Sequence, residues 1–245
     1  MKTRRLPRTN LTASVLCLGT AAFGSAIDSS SSEKILETYV DAGGNVLDTA
    51  EIYAAWLPNG EHRSETFLGE WLRKRKNRDQ LIVSTKGAHP RLDSMDKPRL
   101  SKPAVESDLN SSLQRLGIEC IDVYWLHRDD PGTPVEEIIL MLEDFRKATQ
   151  ANGYFRRLEN GTLDLTAESV RALFHSPENQ ERYKRIKALQ SATGLSVGAI
   201  VLGYLLSQPF PVFPNIGPKA VADLLESIEA AKATLSAENL AFLTG

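Results

Sequence analysis

Residues 81–127 read LIVSTKGAHPRLDSMDKPRLSKPAVESDLNSSLQRLGIECIDVYWLH. Leu81 to Lys86 is a short apolar run that closes on a charged residue, and Ile121 to His127 is another that closes on a polar one. Between them Val105, Leu109, Leu113 and Leu116 recur at helical spacing. Strand, amphipathic helix and strand in so few residues imply two parallel strands joined by a right-handed crossover. Working outward, the unit repeats. Towards the N-terminus, Ser14 to Leu18 reads as a strand ending at Gly19-Thr20. A capping pair, Ser30 with Glu33, then starts a helix that carries Ile35, Leu36, Tyr39 and Val40 and closes at Gly43-Gly44. Asn45 to Asp48 is the next strand, followed by a helix with Phe67, Leu68, Trp71 and Leu72. Towards the C-terminus, Thr133, Pro134 and Glu136 start a helix with Ile138, Ile139, Leu142 and Phe145. Four βα units at intervals of about 35 to 40 residues, each strand closing on a polar residue, predict the α/β class and favour a (β/α)8 barrel over a doubly wound sheet. No Gly-x-Gly-x-x-Gly follows the first strand, which argues against a Rossmann nucleotide site.

The alternation stops after residue 145. In the following stretch only Thr162 to Leu165 resembles a strand. Beyond it the pattern predicts helices over 179–192 and 196–207, a strand from Pro211 to Gly217, and helices near Val221–Ala231 and Ala237–Leu243. Five strands are convincing where a closed barrel needs eight.

Composition bounds the function. The chain has 245 residues, 42% hydrophobic and 24% charged, with a formal net charge of -2, which suits a folded domain with its own core. The basic clusters, Lys2 to Arg8 and Arg73 to Arg78, are too short to suggest nucleic-acid binding. No apolar run has the length of a signal peptide or a membrane span. Cys17 and Cys120 stand in apolar, strand-like surroundings without metal-ligand spacing, so we expect reduced core thiols, no metal and a cytoplasmic setting.

Asp48, Tyr53, Lys86 and His127 stand at or just after the ends of consecutive strands, where a parallel barrel would gather them on one rim. Each has an ordinary structural reading alone: a cap, a loop residue, a solvated rim cation, a hydrogen-bonded imidazole. Together they form an acid device. A lysine ammonium beside a phenol favours loss of the phenolic proton, an aspartate neutralises and orients the lysine, and a histidine can hold a polar substrate group. Such a site protonates a carbonyl oxygen as hydride arrives at its carbon.

The stretch Asp48-Thr49-Ala50-Glu51-Ile52-Tyr53, then Gly60, Ser64-Glu65, Leu68-Gly69, Ser84-Thr85-Lys86 and Tyr124-Trp125-Leu126-His127, resembles the aldo-keto reductase superfamily. Arg4-Arg5-Leu6 with Ser14 to Thr20 is similar to that family's N-terminal β-hairpin and first strand. Val212 to Lys219 resembles its last strand and cofactor loop. The resemblance implies a single TIM-type barrel domain over residues 1–245 that reduces aldehyde or ketone carbonyls with NADPH. It makes Tyr53 the proton donor, tuned by Lys86 and Asp48, with His127 orienting the carbonyl. It places Gly19, Thr20, Gly217, Lys219 and Glu226 on the cofactor, Lys219 at the adenosine 2′-phosphate and Glu226 at the adenine. Ala220 and Ser227 depart from the family pattern, which commonly has a hydroxyl and an asparagine there. Read without the family, a glycine and a lysine just before a helix near Val221 make an anion site from backbone N–H groups, helix dipole and one cation. Trp56, His89 and Arg128 lie on loops expected to ring the small-molecule substrate.

The family also carries a strand ending in Ser-Asn, another contributing a Gln, and a third ending in a Tyr that stacks on the nicotinamide. None is present. About three strands and two helices are missing near residues 148–149, as the strand count requires. Two origins stand open: pieces of a longer chain joined together, or a true deletion. The alternative function is therefore a non-catalytic relative that binds nucleotide or a protein partner. A Schiff-base lyase or isomerase using Lys86 is a third.

Overall fold

The structure is a computed structural model and describes residues 1–7, 9–130, 132, 177–208 and 210–244. The helix expected from Thr133, the run Thr162 to Leu165 and the Ala148–Thr149 junction lie outside these residues. The chain divides into two compact units, Met1–Arg146 with Gly217–Val221, and Lys147–Ile216 with Ala222–Gly245.

The first unit opens with a hairpin in which β1 (Thr3–Arg5) pairs antiparallel with β2 (Thr12–Ser14), Thr3 facing Ser14. Ser14 thus belongs to the hairpin, and the first parallel strand, β3 (Cys17–Gly19), starts later than the apolar run suggests. The Ser14 hydroxyl donates to the Leu16 carbonyl (2.8 Å), a local bond that diverts the backbone from a continuous ladder. Helix α1 (Ser29–Asp41) begins ahead of the expected Ser30 cap, because the Asp28 carboxylate accepts the Ser31 N–H (3.0 Å). It buries Ile35, Leu36 and Tyr39. The Tyr39 hydroxyl donates to the Leu16 carbonyl (2.7 Å) and accepts the Val46 N–H (3.1 Å), tying the helix to the starts of two strands.

Strands β4 (Val46–Asp48), β5 (Ile82–Gly87) and β6 (Val123–Leu126) extend β3 into a parallel sheet, with β4 between β3 and β5 and with β6 beyond β5. Asp48 faces Gly19 on one side and Ser84 on the other, and Lys86 faces Trp125. The crossovers are α1, α2 (Arg63–Arg75) and α3 (Lys102–Leu116). Helix α2 buries Phe67, Leu68, Trp71 and Leu72, the face its periodicity predicts. It also buries Glu65, which is fully inaccessible and accepts from Thr85 Oγ1 of β5 (2.6 Å) and Arg115 Nε of α3 (2.7 Å), so its charge is paired inside the packing. The core thiol expected at position 120 is a correction. Cys120 is exposed and Cys17 only half-buried, because β6 begins at Val123 and leaves Cys120 in the turn before it.

The second unit is helical apart from one short strand. Helices α4 (Pro177–Thr193) and α5 (Val197–Leu206) form a core of Ile186, Leu189, Val197 and Ile200 with Leu235 and with Leu243 from α7 (Ala237–Thr244). Ser196 caps α5 by accepting the Ala199 N–H (3.1 Å). The strand expected over 211–217 is only β7 (Asn215–Ile216), since Pro211 and Pro214 supply no ladder N–H. Helix α6 (Val221–Ala230) follows. Among the described residues no single helix is long and apolar enough to cross a membrane.

Candidate active site

The four residues singled out at the strand ends meet in the first unit. Asp48 and Lys86 are almost fully buried, and register brings them together, since Asp48 pairs with Ser84 and Lys86 lies two residues on, on the same face. The Lys86 ammonium donates to Asp48 Oδ2 (2.6 Å), to the Thr49 carbonyl (2.7 Å) and to the Tyr53 hydroxyl (2.9 Å). Its three hydrogens thus find three acceptors. The other Asp48 oxygen accepts from Ser84 Oγ (3.0 Å), which in turn accepts from Trp125 Nε1 (2.7 Å). One polar chain therefore runs across three adjacent strands.

Past its end, β4 stays bound to its neighbours. Thr49 N–H donates to the Ser84 carbonyl (2.8 Å) and Glu51 N–H to the Lys86 carbonyl (3.0 Å), which carries the chain to Tyr53. The Tyr53 ring lies edge to face with the rings of His127 (5.7 Å between centroids) and Trp56 (6.4 Å), and Lys86 Nζ lies over it, 4.4 Å from its centroid. The His127 backbone is held by its amide N–H, which donates to the Gly87 carbonyl (2.8 Å). Its Nδ1 is buried and has no hydrogen-bond partner.

Electrostatics sets the resting protonation of the cluster. Burial, reinforced by the Asp48 carboxylate, pushes the Tyr53 phenol well above its ordinary value, so the proton is retained at rest, whereas the lysine alone would favour its loss. Burial pulls the Lys86 ammonium below the usual lysine range, and Asp48 opposes this only in part. Burial first, then the Lys86 charge, brings His127 down to about 3. The imidazole is neutral at physiological pH.

The remaining expected residues are distributed as follows. His89 is buried, with its ring 4.9 Å from that of His127. Trp56 is exposed beside Tyr53, and Arg128 is exposed next to His127. Gly19 ends β3. The fully buried Thr20 hydroxyl is engaged inside the wall, with the Asp48 carbonyl at 3.1 Å and Ser64 Oγ at 2.9 Å. Gly217 and Lys219 are exposed just before α6, and Glu226 is exposed on that helix. Three participants, the Thr49 carbonyl, Ser84 and Trp125, were given no site role in the sequence reading. The Thr49 carbonyl left no side-chain signal, whereas Ser84 could have been found from its two-residue offset to Lys86.

The sequence model of the Aldo/keto reductase family matches residues 15–154. The aldo-keto reductase ausK of Emericella nidulans is 25% identical over 97% of this chain and 79% of its own. That alignment is 320 positions long while this chain has 245 residues, so roughly a quarter of its positions face a gap on this side. The norsolorinic acid reductase of Aspergillus flavus is 33% identical over 53% of this chain and 35% of its own. Among solved structures, the thermostable aldo-keto reductase Tm1743, determined with the inhibitor epalrestat, superposes with a TM-score of 0.70 over 99% of this chain and 98% of its own, at 20% identity. The fold is thus the α/β type of these reductases, with the parallel strands of a partial (β/α)8 barrel. The chain belongs to the aldo-keto reductase family, oxidoreductases that generally use NAD(P)H.

Proposed function

We propose that the chain reduces small aldehydes or ketones to alcohols with NADPH, with Tyr53 as the proton donor. The observation that carries the reading is the Lys86 ammonium bonded at once to Asp48, to the Thr49 carbonyl and to the Tyr53 hydroxyl. Bound NADPH supplies the hydride. Tyr53, protonated at rest, gives its proton to the carbonyl oxygen, and the charge left on the phenol oxygen is met by Lys86 at 2.9 Å. Asp48 keeps that ammonium oriented. His127, uncharged, donates one N–H to the carbonyl oxygen and competes for no anion. Trp56, His89 and Arg128 line the approach of the substrate.

The cofactor loop fits an anionic dinucleotide. Gly217 is exposed, with no atom within 4 Å of where a Cβ would stand, and Lys219 precedes the N-terminus of α6, which favours a phosphate. Lys219 would hold the 2′-phosphate, with Gly19 and Thr20 on the nicotinamide side. The Schiff-base alternative is disfavoured because Lys86 is buried and fully engaged.

The test is NADPH-dependent reduction of a broad aldehyde panel by the chain and by Tyr53→Phe. Loss of turnover in the variant is expected, and equal rates would sink the assignment. The long gap against ausK favours a second reading, a non-catalytic relative that binds nucleotide or protein. NADPH fluorescence titration separates the two, since tight binding without turnover supports the second.

A further inference from the structure

Ala88 has φ 63°, in the left-handed region that an alanine adopts only where its neighbours enforce it. Two side chains do so. Asp108, on α3, accepts the Ala88 N–H on Oδ2 (2.8 Å) and Arg99 Nη2 on Oδ1 (2.7 Å). Arg99 Nη1 then donates to the His89 carbonyl (3.0 Å). The pair thus grips the backbone on both sides of the Ala88–His89 peptide, and both side chains are largely buried, Asp108 at 8% exposed and Arg99 at 20%. His89 is also fixed through Nδ1, 2.6 Å from the Pro90 carbonyl. Its ring meets His127 at 74°, and His127 meets Tyr53 at 80°. The residue before the turn is constrained as well. A Cβ on Gly87 would stand 2.0 Å from the Tyr124 hydroxyl and 2.8 Å from Asp108 Cβ, so only glycine lets α3 bring Asp108 this close.

We propose that Asp108 and Arg99 are positioning residues that hold His89 edge-on against His127 and so build one wall of the carbonyl site. What that wall meets rests on the reduction reading above. An ion pair that served stability alone would need only the Asp108–Arg99 contact. The bond from Arg99 to the His89 carbonyl serves the turn that carries the ring.

Arg99→Lys separates the two roles, because one ammonium can pair with Asp108 but cannot reproduce the planar fork that also reaches His89. With 4-nitrobenzaldehyde as substrate, this variant is expected to raise KM about tenfold and to leave kcat, NADPH affinity and the urea midpoint within about twofold of the parent. His89→Ala raises KM similarly, and adding Arg99→Lys to it brings no further loss. Unchanged KM in Arg99→Lys, or full additivity in the double variant, overturns the proposal. If the parent reduces no aldehyde, the reduction reading fails by itself and the clamp is judged by NMR. Imidazole-labelled protein should show a His89–His127 ring contact that Arg99→Lys loses while the amide spectrum is otherwise kept. Persistence of that contact refutes the clamp. Should Arg99→Lys not fold, Asp108→Asn is read the same way.

Discussion

Replacing Lys86 with methionine tests whether the polar chain across β4, β5 and β6 is a coupled unit. The variant keeps the bulk of the side chain but removes the cation from a carboxylate whose side chain is 3% exposed, Lys86 itself being 9% exposed. Asp48 then retains the Ser84 hydroxyl and loses the Lys86 ammonium. Removing one member of a buried pair costs about 3 to 5 kcal/mol, much of it the uncompensated charge, whereas removing both members is often nearly neutral. Lys86→Met should therefore lower unfolding free energy by that amount, and Asp48→Asn/Lys86→Met should recover most of it. Urea unfolding followed by tryptophan fluorescence reads this directly, because the Trp125 indole donates into the same chain through Ser84. Neither variant should reduce carbonyls. A single-variant cost below ~1 kcal/mol, or a double variant no more stable than Lys86→Met, would show that the pair is solvated and that the coupling described here is wrong.

Two further outcomes follow from the site. His127, held down to about 3 from an ordinary 6.5, binds its proton more readily when unfolded. Its contribution to stability is therefore present above pH 6.5 and is lost as pH falls from there towards 3. His127→Gln should flatten the dependence of the urea midpoint on pH in that window, and kcat/KM should show no step near 6.5 that His127→Gln removes. Lys219→Ala should raise the dissociation constant for NADPH about tenfold and leave that for NADH nearly unchanged, with the difference shrinking as salt rises. Equal losses for both cofactors would remove Lys219 from the 2′-phosphate.

The strand ends were legible because period and polarity coincide there. Asp48, Lys86 and His127 each close an apolar run, and the register of a parallel sheet brings such residues together. The face of α2 was legible for the same reason. Other features depend on competition that a pattern does not encode. Asp28 took the helix start from Ser30 by reaching the Ser31 N–H first, Pro211 and Pro214 shortened the last strand, and Cys120 fell into a turn when β6 began two residues late. The degree to which burial outweighs the neighbouring cation at Tyr53 was not legible, because burial is not visible in a loop sequence. Asp108 and Arg99 escaped notice because they act on backbone groups of other residues.

The pairing of Asp48 with Ser84 and of Lys86 with Trp125 also has a bearing on folding. Side chains alternate faces along β5, so sliding that strand by one residue would turn Lys86 away from Asp48 and present Thr85 or Gly87 in its place. A mispaired molecule could keep its helices and most of its apolar burial and still lack the Lys86 contacts with Asp48 and Tyr53. Turnover per mole of protein therefore counts the fraction of chains whose central strands are in register, a quantity that helix content by circular dichroism would miss.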